Sequence, residues 1–328
     1  MMQAAWYERN GAADDVLQYG EQAMPEPGPG EVLIRLAFSG VNPSDVKSRA
    51  GSRPVRDGIV IPHSDGAGTI EKVGEGVDPA RLGERVWTWN AQYQRPHGTA
   101  AQYVALPSQQ AVLLPDTTSF EAGACLGVPG LTAHHAVTLA CLEPGQTVLI
   151  IGGASAVGFY AAQIAQARGA RVIATAGSED KAAFLHQAGI QETILYKKEA
   201  VAKRVLSMTN DAGVNAIIDM DFSTSSALVD EGALASHGNF VCFGSNARGP
   251  VAVNYAAWLP RSLTLRFFLV YELTPAQRSS AVQGLQSLLH DDRLRHHIGQ
   301  CFPLQEIVAA HLAVESGKVP GKVLVDCA

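Results

Sequence analysis

The stretch TVLIIGGASAVGFYAAQIAQARGARVIATAGSEDK, Thr147 to Lys181, decides the fold. An apolar run rich in β-branched residues, Val148 to Ile151, stops at Gly152-Gly153. A turn of small residues then opens an apolar helix through Gly158 and Ala161, and a second strand follows at Val172 and Ile173. Strand, turn, helix and strand in that order make a βαβ unit. Its turn matters because the backbone N–H groups at the start of such a helix bind a pyrophosphate. The glycine pattern is G-x-x-S-x-x-G (Gly152, Ser155, Gly158), so a serine stands where the dinucleotide fingerprint has its middle glycine. Tight strand-to-helix packing also selects small residues, but here every part of the unit is present in sequence. The segment Gly152, Gly153, Ala154, Ser155, Ala156, Val157, Gly158 is therefore read as a phosphate cradle, and the small Ser155 side chain still allows close approach.

The end of the second strand selects the nucleotide. A chain preferring NAD places Asp or Glu there, to bind the ribose 2′-hydroxyl. This chain runs Ala174, Thr175, Ala176, Gly177, Ser178, with no carboxylate before Glu179 and Lys181 just beyond. A hydroxyl and an ammonium suit a dianionic 2′-phosphate, so NADPH is expected over NADH. Ser178 also reads as the N-cap of the next helix and Lys181 as a solvated first-turn charge; both uses are compatible.

Composition limits the alternatives. The 328 residues fit two domains better than one, and 47% hydrophobic with 17% charged residues is a globular profile. A net charge of −6 offers no electrostatic reason to expect nucleic acid or an anionic membrane as partner. Apolar runs are interrupted before they span a bilayer, and MMQAAWYERNG lacks the basic and apolar regions of a signal peptide. Five scattered cysteines without a CxxC pair point to thiols in a reducing, cytoplasmic setting.

The chain changes character near residue 119. Before it, VLIRLAFSGV (Val32 to Val41), GTIEKVG (Gly68 to Gly74), RVWTW (Arg85 to Trp89) and AAQYVAL (Ala100 to Leu106) read as strands of a compact β-barrel-like domain over residues 1–118. After it, ETILY, VNAIIDM, NFVCFG and LTLRFFLV alternate with longer segments, which predicts a doubly wound parallel sheet over 119–270. Its last strand is expected at the sheet edge, where another subunit could extend the sheet. The remainder, about 271–328, holds an apolar helix (Ala276 to Leu289) and a strand, KVLVDC, able to rejoin the first domain.

Nearly end to end, the chain resembles the zinc-free quinone oxidoreductases of the medium-chain dehydrogenase/reductase superfamily, the zeta-crystallin-like branch. The resemblance is carried by GVNPSD (Gly40 to Asp45), SDGAGTI (Ser64 to Ile70), GERVW (Gly83 to Trp87), GTAAQY (Gly98 to Tyr103), LGVPGLTA (Leu126 to Ala133), the Gly152–Gly158 turn, TAGSEDK (Thr175 to Lys181) and PGKVLV (Pro320 to Val325). It implies an α/β chain with a GroES-like β-barrel domain, a Rossmann doubly wound parallel sheet, a cleft between them, and a homodimer or homotetramer.

Zinc-dependent relatives place a Cys and a His-Glu pair where this chain resembles them at Asn42, Ser64 and Asp65. An amide and a hydroxyl are poor Zn²⁺ ligands, and a catalytic site needs three good ones, so no metal is expected. His63 sits one place off the ligand position, and the four clustered cysteines of a structural zinc are missing.

Without a Lewis acid the implied chemistry is hydride donation to an already electron-poor acceptor, a quinone or an α,β-unsaturated carbonyl. The resemblance puts Asn42 beside nicotinamide and acceptor, with Asp45 as a positioning group; an Asn before Pro43 is also a common turn residue. Thr132 resembles a cofactor-contacting hydroxyl and Tyr196 the aromatic near the 2′-phosphate. Phe243, Gly244 and Ser245 end a strand where open sheets place ligands. Lys322 is read equally as a group approaching the cofactor and as a surface lysine. The family's acceptor-site Tyr is replaced in AGSR, ending at Arg53, which reads either as a clamp for a carboxylate or quinone oxygen or, more plainly, as a loop charge. Three functions are carried forward: a quinone reductase, an alkenal, enone or enoyl-thioester reductase, and a non-catalytic NADPH-binding sensor.

Overall fold

The computed structural model describes all residues except Arg56, Asp57 and Arg248. They form two compact units, Met1–Val128 with His296–Ala328, and Pro129–Arg295.

The first unit is built on the strand Glu31–Val41, which pairs antiparallel with Asp65–Val73, Tyr103–Pro107 and Lys322–Asp326. Arg85–Thr88, Ala111–Leu113 and Ile298–Pro303 complete a seven-stranded sheet, and Met2–Trp6 with Gln18–Gln22 forms a separate two-stranded one. Two register shifts between Glu31–Val41 and Asp65–Val73 bend the sheet. Gly68 permits the closest approach there, since a Cβ on it would lie 2.0 Å from Arg35 O. Val32, Ile34, Leu36, Ile70, Val86 and Val104 pack inward with Phe302, Ile307 and Val325, so the last segment of the chain shares the core of the first.

The second unit is a six-stranded, wholly parallel sheet in the order Glu192–Leu195, Arg171–Ala176, Thr147–Ile150, Val214–Asp219, Leu234–Cys242, Thr264–Phe267. Strand order reverses between Thr147–Ile150 and Val214–Asp219, the switch point at which such sheets bind ligands. Leu149, Ile173, Ile194, Ile217 and Phe240 fill its core. Thr264–Phe267 is the edge strand, shorter than LTLRFFLV suggested because the chain turns into Val270–Glu272. The helix Pro275–His290, capped by Thr274, stays with this unit: Arg278 donates to Val270 O, and Gln163 Nε2 donates to Arg295 O. Return to the first unit thus comes at His296 rather than near residue 271.

Candidate functional site

In the second unit the chain leaves Thr147–Ile150 through Gly152 at φ +70, a left-handed conformation that favours glycine. Gly158 is required by contact instead: a Cβ there would lie 2.2 Å from Gly152 O. Thr175 holds the turn from the neighbouring strand, its Oγ1 accepting from Gly152 N at 2.8 Å and its carbonyl from Gly153 N at 2.9 Å. Ser155 caps the helix Ala156–Ala167 by accepting from Gly158 N at 3.0 Å. The serine that replaces a fingerprint glycine therefore organises the helix start. The first-turn N–H groups of Ala156 and Val157 have no intrahelical acceptor and are the groups offered to an anion.

At the end of Arg171–Ala176, Ser178 accepts from Lys181 N at 3.3 Å, so its capping use is real. Tyr196 packs over Gly177, its hydroxyl 2.9 Å from where a Cβ would stand, and is 49% exposed. Ser178, Lys181 and Tyr196 are thereby gathered at one end of adjacent strands. Glu179, the carboxylate nearest them in sequence, is ion-paired at the surface with Lys198 Nζ at 2.5 Å. Phe243, Gly244 and Ser245 follow Leu234–Cys242 at the same sheet edge; Phe243 N donates to Asp219 O, and Ser245 Oγ is buried with no partner among the described residues. Thr132 is buried within the helix Gly127–Leu139. A phosphate-seeking helix start, an ammonium beside a hydroxyl and an orphaned hydroxyl along one sheet edge fit a dinucleotide carrying a 2′-phosphate.

In the first unit Asn42 begins the helix Pro43–Lys47, and its backbone N–H donates to Asp45 Oδ2 at 2.8 Å. Its side chain is held at both ends: Nδ2 donates to Asp65 Oδ2 at 2.8 Å, and Oδ1 accepts from Lys322 Nζ at 2.5 Å. Lys322 also donates to Asp65 Oδ2 at 2.8 Å, while Val128 N donates to Asp65 Oδ1 at 2.7 Å. Asn42, Asp45, Asp65 and Lys322 are all buried. Lys322 is therefore not a surface lysine. Burial, then the neighbouring Asp65 carboxylate, pushes the Asp45 carboxyl up to about 7, against the pull of Lys322 and Asn42.

The donor set does not fit a zinc ion. Asn42 Oδ1 and Asp65 Oδ2 are already taken by an ammonium that belongs to the chain, and Ser64 contributes a buried hydroxyl with no partner among the described residues. Arg53 follows the helical turn Ser48–Ser52. Its guanidinium stacks 4.8 Å over the Tyr93 ring and, with Gln92, Gln94 and Arg95, lines a cavity of about 230 Å³. Neither the Tyr93 platform nor the Asp65–Lys322 pair was legible in sequence; a lysine beginning a strand that rejoins the first domain was the one signal for the latter.

Two family models match, one described as an alcohol dehydrogenase GroES-like domain over residues 28–116 and one as a zinc-binding dehydrogenase over 156–287. The quinone oxidoreductase of Pseudomonas aeruginosa is 32% identical over 317 residues, 95% of each chain, and that of Sus scrofa is 30% identical over 308 residues, 92% of this chain and 91% of the other. The chain belongs to the quinone oxidoreductase family of the medium-chain dehydrogenase/reductase superfamily. A mycobacterial protein solved in complex with NADPH superposes with a TM-score of 0.86 at 29% identity, covering 99% of this chain and all of that one. Antiparallel pairing of Lys322–Asp326 with Glu31–Val41 brings GVNPSD and PGKVLV, distant in sequence, together in the first unit.

Proposed function

We propose that this protein is an NADPH-dependent, zinc-independent oxidoreductase that reduces quinones or related electron-poor small molecules. The observation that carries the reading is the Asn42 amide, held by Asp65 and Lys322 where zinc-dependent relatives would hold their metal. When bound, NADPH supplies a hydride. The residues of this chain supply binding and orientation. Gly152 to Gly158, with the Ala156 and Val157 N–H groups, hold the pyrophosphate. Ser178, Lys181 and Tyr196 hold the 2′-phosphate, and Thr132 with Phe243, Gly244 and Ser245 line the remainder of the cofactor. Asn42 orients the acceptor, Asp45 positions Asn42 through its backbone N–H, and Arg53 over Tyr93 receives a polar or anionic substituent of the acceptor.

Phe267, 60% exposed on the edge strand Thr264–Phe267, supports assembly with a second copy of the chain. Five free cysteines support a reducing, cytoplasmic setting. No helix among the described residues is long and apolar enough to cross a membrane.

The test is oxidation of NADPH and NADH by chelator-treated protein with 1,4-benzoquinone, 9,10-phenanthrenequinone and a simple enone, each against a protein-free control. NADPH-selective turnover that survives chelation, with quinones ahead of the enone, is expected. Tight NADPH binding without turnover of any acceptor would overturn the reading.

A further inference from the structure

The side chain of Lys322 reaches Asn42 across a sequence gap of 280 residues, because Lys322–Asp326 pairs with Glu31–Val41 in a register that sets Val323 opposite Val41. Gly40 makes room for it: a Cβ at Gly40 would stand 2.8 Å from Lys322 Cε and 2.2 Å from Ala124 O. Lys322 is 3% exposed and Asp65 is fully buried, so neither charge would be tolerated alone.

The pairing decides which way the Asn42 amide faces. An ammonium can only donate and an ionised carboxylate can only accept. Oδ1 must therefore face Lys322 and Nδ2 must face Asp65, and a flipped amide would set donor against donor and acceptor against acceptor. Asp65 is itself immobilised, its second oxygen held by Val128 N–H and its carboxylate packed against Gly127.

We propose that Lys322 is a positioning residue that aims the Asn42 amide, acting through Asn42 and Asp65 rather than by contact with cofactor or acceptor. This rests on the reading that Asn42 meets the acceptor. Lys322 is buried, with its ammonium bonded to Asn42 and Asp65, so the contribution it makes through them is orientation.

The experiment compares full-length wild type, Asn42→Ala, Lys322→Met, Lys322→Arg and the Asn42→Ala/Lys322→Met double variant. It measures kcat and KM for 1,4-benzoquinone, NADPH affinity by fluorescence, and Tm. Misaiming a reactive group by an ångström costs about 100-fold in rate, and a loss of that order in kcat is expected for Lys322→Met with NADPH affinity unchanged. The double variant is expected to be no slower than Asn42→Ala, because the lysine has nothing left to aim. Lys322→Arg keeps a cation beside Asp65, and with it the fold, but replaces a point charge with a planar fork. It is expected to lower kcat less than Lys322→Met and serves as the test if Lys322→Met does not fold. Wild-type kcat in either lysine variant, a Lys322→Met loss that adds in full to that of Asn42→Ala, or collapse of both lysine variants by circular dichroism overturns the proposal. Wild-type turnover in Asn42→Ala would instead bring down the reading of Asn42, and the aiming role with it.

Discussion

His63 and His311 face each other inside the first unit, Nε2 to Nε2 at 3.0 Å, with the rings stacked at a centroid distance of 5.1 Å. His63 Nδ1 lies 2.8 Å from Ser39 Oγ, Ser39 Oγ lies 2.7 Å from Thr99 Oγ1, and Thr99 donates to Asp65 O at 2.6 Å. That last bond sets the direction of the chain. Thr99 spends its hydrogen on Asp65, so Ser39 donates to Thr99, His63 Nδ1–H donates to Ser39, and His311 Nε2–H donates to His63. His311 Nδ1 is then a buried acceptor without a partner among the described residues, a lesser cost than a buried donor. Both rings are neutral, and the relay ends on the backbone of the residue that holds Lys322 and Asn42.

Burial, then the charge on Arg49, pushes His311 down to about 3 from its ordinary 6.5. Above pH 6.5 folded and unfolded chains are both neutral at this position. Below it only the unfolded chain binds the proton, so stability is lost as pH falls towards the folded value. His311→Gln is expected to cost about 1–3 kcal/mol at pH 7.5, since it leaves the relay without its first imidazole. The gap to wild type should then narrow by ~1.4 kcal/mol per pH unit on acidification below 6.5. Urea denaturation of both proteins between pH 7.5 and 4.5 measures it; a constant gap would mean His311 is charged in the fold.

Lys181→Ala should raise the NADPH dissociation constant about 10- to 100-fold, the range for losing a hydrogen bond to a charged group, with little effect on NADH. Lys198→Ala should act in the same direction more weakly, by freeing Glu179 beside the phosphate position. Equal losses for both nucleotides would remove Lys181 from the 2′-phosphate site. Isothermal titration with each cofactor decides.

Gly158→Ala places a methyl 2.2 Å from Gly152 O, and only a shift of the turn relieves that contact. The expected cost is about 1–3 kcal/mol in stability, as for other overpacked sites. NADPH affinity should fall with it, because the Ala156 and Val157 N–H groups move. Thermal melts with and without NADPH measure both; a cofactor-induced rise in Tm equal to wild type would show that the turn does not bind phosphate.

Arg53→Ala removes the guanidinium from the Tyr93 ring. KM for a carboxylate-bearing quinone should rise about 10-fold while 1,4-benzoquinone is little affected, the signature of lost ground-state binding. Equal effects on both acceptors would return Arg53 to a loop charge.

Elements with local causes were legible in the chain alone. Thr147 to Lys181 folds as a βαβ unit because apolar periodicity, a left-handed glycine and a capping serine act within a few residues of one another. The same local logic placed Ser178 and Lys181 in one turn and predicted an edge strand at the end of the sheet. The hairpin of Met2–Trp6 and Gln18–Gln22 escaped that logic, since both strands are short and the second is mostly polar. What Lys322 does was set by long-range packing, because a lysine is exposed or buried according to what its strand pairs with, and its strand pairs with Glu31–Val41, just before Asn42 and 280 residues from Lys322 to that asparagine. Tertiary packing likewise decided that Glu179 pairs with Lys198, that Arg53 has an aromatic platform in Tyr93, and that His63 is joined to His311. Each of these is a pairing of charge or polarity over a distance that periodicity does not encode; the residue types were visible in the chain, but their partners were chosen by the packing of the sheet.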